Sequence, residues 1–447
     1  MRVIHRRVSL FQPSPLPISS TISYPMTLDR SIAPIAFSID KLKLPKYKKQ
    51  VFANGVSLFQ IPAGEQPVLK IEFVFEAGTR YEAANGQSFF AVKMLTEGTS
   101  KHSSAEIAAF FDQFGASIDL AHGVDRSSIS VYTLSKHLSA ILPMVHSLIY
   151  DSIFPEEEMV MMKNIVGQNL KVQLEKTAYL AGQAFKETIF GLNHAGGVML
   201  NEAAIAGISR GEVLDFYQQF LQQNQFKIFI AGSFSAIDLT SIETIFGQQE
   251  LQGQSVRPLS TPEATPRAVL LEKEGALQSS IRLGRPMFAR NHPDFFPFAV
   301  MNEVFGGYFG SRLMRNIRED KGFTYGINAS LVPFTDTGYW IIGTDVKREF
   351  TQQTLDEIAK EIFILQTELV EDEELNTVKN YMIGSMAGNL NTPFEVADRV
   401  KVMILNQLPD DFYEHYIEQI KGVSAEQIRA MANVYLKDLT EVVVGGK

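Results

Sequence analysis

The chain is written twice, and this constrains its fold more than any other feature of the sequence. Ile208-Ser209, Val213 and Phe220-Leu221, ahead of the run Phe226 to Gly232, recur as Val423-Ser424, Ile428 and Tyr435-Leu436 ahead of Glu441 to Gly445. Glu156, Glu157 and Glu158 lead to Lys163, Asn164 and Gly167 as Glu373 and Glu374 lead to Lys379, Asn380 and Gly384. Gly115 to Ile118 likewise matches Gly322 to Tyr325. The matches keep their order at an offset of roughly 215 residues, which makes the chain two copies of one unit.

Each copy opens with strands and runs through helices to a last strand. In the first, Val68 to Phe75 reads as a buried strand and Ser117 to Tyr132 as a strand pair. Helical spacing of apolar residues covers Gln87 to Glu97, Ala105 to Phe114, Leu138 to Ile149, Pro155 to Lys176 and Ala178 to Phe190. Strands gathered early and helices late predict an α+β fold of two duplicated domains. Each is expected to be a mainly antiparallel sheet with helices on one face, the pair forming a clamshell-like half of a dimer. The boundaries expected are an N-terminal arm over 1–46, a first repeat over 47–247, a polar, proline-bearing linker over 248–266 and a second repeat over 267–447. Two facing domains enclose a cavity, where a ligand site is expected.

A chain of 447 residues, 45% hydrophobic and 20% charged, can bury two to three cores and shows no bias towards disorder. Its formal charge of -9 and the lack of a basic stripe argue against nucleic acid or an anionic membrane as partner. Cysteine is absent, which excludes disulfides, thiolate metal sites and a cysteine nucleophile together. Met1 to Arg7 is basic, but Pro13, Pro15 and Pro17 break the stretch from Ser9 to Ser23, so no secretory signal is read. Leu138 to Tyr150, the most apolar segment, is too short to span a bilayer, and a cytoplasmic protein is expected.

Gly78 to Glu82, Gly86, Met94-Leu95 and Glu97-Gly98-Thr99 form a frame that resembles the pitrilysin/insulinase family of zinc peptidases, and the likeness runs from about Lys49 to the end of the chain. In active members that frame surrounds H-x-x-E-H: two imidazoles four apart on one helix face bind zinc, and the glutamate between them activates the metal-bound water. The resemblance places Phe89, Val92 and Lys93 at those three positions, and Asn169 where the family's third ligand, a glutamate, stands. Phenylalanine has no lone pair to offer, valine accepts no proton, an ammonium repels a dication, and a lone amide oxygen is a weak ligand. The histidines (His5, His102, His122, His137, His146, His194, His292 and His415) include no two that are three or four apart, so no metal is assigned to this chain. Lys93 could set its ammonium in the place of the missing cation and meet Glu97 one turn on; a solvated helix-face lysine is the other reading.

In the second half the family carries an arginine and a tyrosine that reach substrate and the developing oxyanion, and the resemblance assigns them to Arg318 and Tyr325, behind Gly306-Gly307 and Ser311-Arg312-Leu313. A helix from about Gly310, ended by Gly322, would put Arg318 near its last turn and Tyr325 at the start of a strand, at one end of a sheet. An arginine favouring a helix C-terminus and an ordinary half-buried strand tyrosine are the plainer readings. Gly306 to Gly310 follows a helical pattern and not a strand, which argues against a phosphate loop. It is also too short to match the long glycine-rich insertion of the mitochondrial processing peptidase subunit that the pattern otherwise resembles.

Metal residues lost and the arginine-tyrosine pair kept resemble the non-catalytic partner in heterodimeric members. The function implied is a substrate-binding subunit with no cofactor of its own, inactive alone, whose zinc is held by a homologous partner chain and whose ligand is a peptide. A homodimer is the form open to the isolated chain. The competing expectation is a structural or peptide-binding protein that keeps the fold and takes no part in proteolysis.

Overall fold

Val68–Phe75 is buried at all but its first position, because the strand it forms is covered on both faces. The computed structural model describes residues 39–446 apart from Leu42, Gln254, Ser255 and Ala264. β1 (Lys48–Val51), β2 (Ser57–Pro62), β3 (Val68–Phe75), β4 (Ser117–His122), β5 (Ser127–Leu134) and β6 (Lys227–Gly232) make one sheet, in the order β1-β2-β6-β3-β5-β4. β7 (Ala268–Glu272), β8 (Gln278–Met287), β9 (Thr324–Pro333), β10 (Gly338–Lys347) and β11 (Thr440–Gly445) make the second, in the order β7-β11-β8-β10-β9. The parallel pairs are β2 with β6 and β7 with β11; the others are antiparallel. Without β1 the two topologies coincide, so the duplication read from the sequence is a duplication of structure.

The matched residues do the same work in both halves. Ser209 and Ser424 each close a capping box with the residue three places on. Lys163 donates to the carbonyl of Ala206 (3.3 Å), and Lys379 to that of Lys421 (2.9 Å). Gly232 (φ 113°) and Gly445 (φ 128°) end β6 and β11 where a Cβ would lie 2.3 Å from the Val68 carbonyl oxygen and 2.6 Å from that of Gln278.

The helices of the first half are α1 (Gln87–Lys93), α2 (Ser104–Gln113), α3 (Leu138–Tyr150), α4 (Glu156–Leu174), α5 (Thr177–Phe190), α6 (Glu202–Gly207), α7 (Arg210–Tyr217) and α8 (Ala236–Phe246). Those of the second are α9 (Phe295–Asn302), α10 (Thr351–Thr367), α11 (Asp372–Gly388), α12 (Pro393–Leu405), α13 (Phe412–Gly422) and α14 (Ala425–Tyr435). The helix expected over Gln87 to Glu97 is α-helical only to Lys93 and then tightens into a 3₁₀ turn, Met94–Thr96. Among the described residues no helix is long and apolar enough to cross a membrane.

Each half lays most of its helices on one face of its own sheet and sends one helix to the other half. On α5, Ala181, Phe185, Ile189 and Phe190 pack against Tyr339, Val442 and Val444 of the second sheet. On α12, Val396, Ala397 and Val400 pack against Phe59, Ile61, Val74 and Phe229 of the first. This exchange covers the middle of the outer face of each sheet and joins the halves into one compact unit.

The segment expected as a linker is strapped across the halves: Arg80 donates to the Arg257 carbonyl, Leu259 N to Asp336 (3.2 Å) and Thr261 Oγ1 to Thr337 (2.8 Å). Of the expected arm, residues 1–38 lie outside the described residues, while Ile39 and Leu44 pack against the cores.

Candidate functional site

Of the positions expected to be degenerate metal sites, Phe89, Val92 and Lys93 lie along α1 and Asn169 on α4. Helix α1 begins at Gly86, whose φ of 99° favours glycine, and the Glu82 carboxylate accepts from Gly86 N (3.3 Å), Ser88 N (2.8 Å) and Ser88 Oγ (2.6 Å). Burial raises the Glu82 pKa, and these hydrogen bonds pull against the rise. One turn on, Phe89 lines a cavity of about 440 Å³ that Asn169 of α4 also lines. Val92 is fully buried in the core instead.

The ammonium of Lys93 donates to the Leu120 carbonyl of β4 at 2.8 Å. The expected meeting of Lys93 with Glu97 is therefore corrected. Because the chain leaves the α-helix at Lys93 for a 3₁₀ turn, residue 97 does not follow one α-turn further along the same face.

His122, at the end of β4, was not singled out as a site residue from the sequence, where a lone histidine in an alternating strand carries no signal. Its Nε2 lies 2.7 Å from Ser88 Oγ, and its ring meets Phe89 edge-on at 5.8 Å. Because the Ser88 hydroxyl donates to Glu82, the imidazole N–H donates to Ser88 Oγ. Burial, with the charge of Lys93 adding to it, pushes the His122 pKa down to about 4, so the ring is neutral at pH 7.

A divalent ion does not fit this donor set. Phe89, Val92 and Lys93 supply no ligand and Asn169 one amide oxygen, and among the described residues no three of His, Asp and Glu are grouped so as to hold a metal ion.

The second candidate region is built by a chain reversal. Arg318 stands in the last turn of the π-helical segment Met314–Asp320; Phe323 N returns to the Ile317 carbonyl (3.0 Å), Gly322 takes φ 66°, and β9 begins at Thr324. Neighbouring side chains fix this segment: Arg312 grips Glu374 with two bonds (3.0 and 2.6 Å), and Asn316 reaches Glu357 (3.0 Å) and Glu361 (2.7 Å).

The Arg318 side chain makes no ion pair or hydrogen bond among the described residues. Its guanidinium lies 4.6 Å from the ring centroid of Phe309 and 5.5 Å from that of Tyr325. Tyr325 is 92% exposed, so it is not the half-buried strand residue of the plainer reading, and Phe309 is 61% exposed. Phe309 was missed as a site residue, its only mark being an aromatic inside a glycine-rich turn. Neither Arg318 nor Tyr325 lines the Phe89 and Asn169 cavity.

The profile of the insulinase peptidases, family M16, matches residues 63–202, and that of the M16 inactive domain matches residues 207–382. The chain belongs to the M16 peptidase family. A Bacillus subtilis relative, described as an uncharacterised zinc protease, is 24% identical over 79% of this chain and 87% of its own length. One from Rickettsia felis with the same description is 22% identical over 92% of this chain and 97% of its own. The solved M16 inactive domain of Pseudomonas fluorescens superposes with a TM-score of 0.80 at 20% identity, covering 90% of this chain and 98% of that one. A Helicobacter pylori protease gives 0.82 at 15%, covering 90% and 100%. In this M16 fold, the positions expected from the resemblance to hold a metal carry Phe89, Val92, Lys93 and Asn169.

Proposed function

We propose that this chain is the non-catalytic, substrate-binding subunit of a two-chain M16 metallopeptidase, and that Arg318 and Tyr325 complete an active site whose zinc a homologous partner holds. The observation that carries this reading is the state of Arg318: a guanidinium clasped by two exposed rings, with no carboxylate of its own and away from its own chain's cavity. A buried or paired arginine would be a structural one. The N–H donors of this one have no partner among the described residues, and Tyr325 adds an exposed phenol. Both suit the carbonyl oxygen of a peptide and the negative charge that grows on it, where one well-placed donor contributes about 3–4 kcal/mol.

The test is co-production with a zinc-bearing M16 homologue. The isolated chain is expected to bind no zinc and cleave nothing, and the pair to cleave peptide. Arg318→Ala or Tyr325→Phe should then lower kcat by about 10²–10³-fold with assembly unchanged by size-exclusion chromatography. Undiminished cleavage by both variants would remove the pair from the site. A stable complex with an intact partner that cleaves nothing would favour the structural or peptide-holding role.

A further inference from the structure

The cavity that replaces the metal site has the electrostatics of an anion pocket. Lys186 of α5 lines it and makes no hydrogen bond or ion pair among the described residues; its ammonium lies 5.9 Å from the ring centroid of Tyr339. Burial lowers its pKa, the mark of a cation held without a partner. The carboxylate in the wall, Glu82, is already occupied by Ser88 and Gly86. Asn169 and Gln173, one turn apart on α4, add amide donors, while Phe89 from the first half and Phe334 from the second form apolar walls. About 440 Å³ matches a ligand of modest size, and apolar walls with few polar groups are usual for such sites.

We propose that this cavity binds a small amphipathic carboxylate, its anionic end on Lys186 and the Asn169 and Gln173 amides and its apolar body between Phe89 and Phe334. A pocket of this ancestry otherwise takes a dication. Here Phe89 and Asn169 stand where metal ligands are expected, the wall's carboxylate, Glu82, is engaged by Gly86 and Ser88, and the unpaired ammonium reverses the preference. The proposal concerns the single chain and stands whether or not the partner reading does.

The test is calorimetric titration of the full chain at pH 7 with 3-phenylpropionate, and with 3-phenyl-1-propanol as the uncharged match. The acid is expected to saturate at one equivalent and to bind at least tenfold tighter than the alcohol. Lys186→Met should abolish that preference and leave the alcohol's affinity unchanged, with folding checked by circular dichroism. Should that variant fail to fold, Asn169→Asp puts a carboxylate into an exposed part of the wall and should weaken the acid at least tenfold. Equal affinity for acid and alcohol, absence of saturation, or acid binding untouched by Lys186→Met or Asn169→Asp would overturn the proposal.

Discussion

Arg80 belongs to the frame that marks the family in the sequence, and the structure makes it the joint between the halves. Its side chain, 1% exposed, donates to Asp125 (2.6 Å) of the first half, to the Arg257 carbonyl in the connecting strap and to Asp336 in the second half. Arg80→Met removes the cation and keeps its apolar stem. Breaking a buried pair from one side costs about 3–5 kcal/mol. The lower figure applies here, since Asp125 keeps a bond from Thr335 N (2.8 Å) and Asp336, 33% exposed, keeps one from Leu259 N.

The expected loss is about 3 kcal/mol, or a fall in Tm of several degrees for a chain of this length. Urea unfolding read by circular dichroism and by the single tryptophan, Trp340, buried in the second half, measures it in both halves. A double-mutant cycle with Asp336→Asn should show at least about 1 kcal/mol of coupling. A loss under about 1 kcal/mol, or fully additive variants, would refute the assignment of Arg80 as the joint.

Two further perturbations test the packing and the buried histidine. Phe185 of α5 is fully buried on the second sheet, its ring against Tyr339 at 6.2 Å, so Phe185→Ala should cost about 3–5 kcal/mol in equilibrium unfolding; under 1 kcal/mol would mean that α5 is not a structural bond between the halves. His122 has a folded pKa of about 4 against 6.5 unfolded, so between those values the unfolded chain binds more protons and stability falls as the pH drops. The full effect is about 3 kcal/mol, opposed in part by Glu82, whose raised pKa acts with the opposite sign. His122→Phe should flatten the fall in stability between pH 6.5 and pH 4, and parallel slopes in variant and wild type would show that His122 is not the titrating group.

The sequence by itself determined the duplication, the α+β class, the spans of most elements of the first half and the absence of metal donors at Phe89, Val92 and Lys93. These are local matters: periodicity names the buried face of a strand or helix, Ser209 and Ser424 announce their caps, and the ring at Phe89 excludes a ligand wherever it sits. Tertiary structure alone decided what covers each face and which side chains meet. The apolar stripe of α5 would read the same had it covered its own sheet, and nothing near Arg80 in the chain points to Asp336, 256 residues on. The carbonyl that holds Lys93, the link from His122 to Ser88, the rings about Arg318 and the lone ammonium of Lys186 all come from strands and helices brought together across the fold. Side-chain partners are set by proximity in space, which a pattern of neighbours in the chain does not encode.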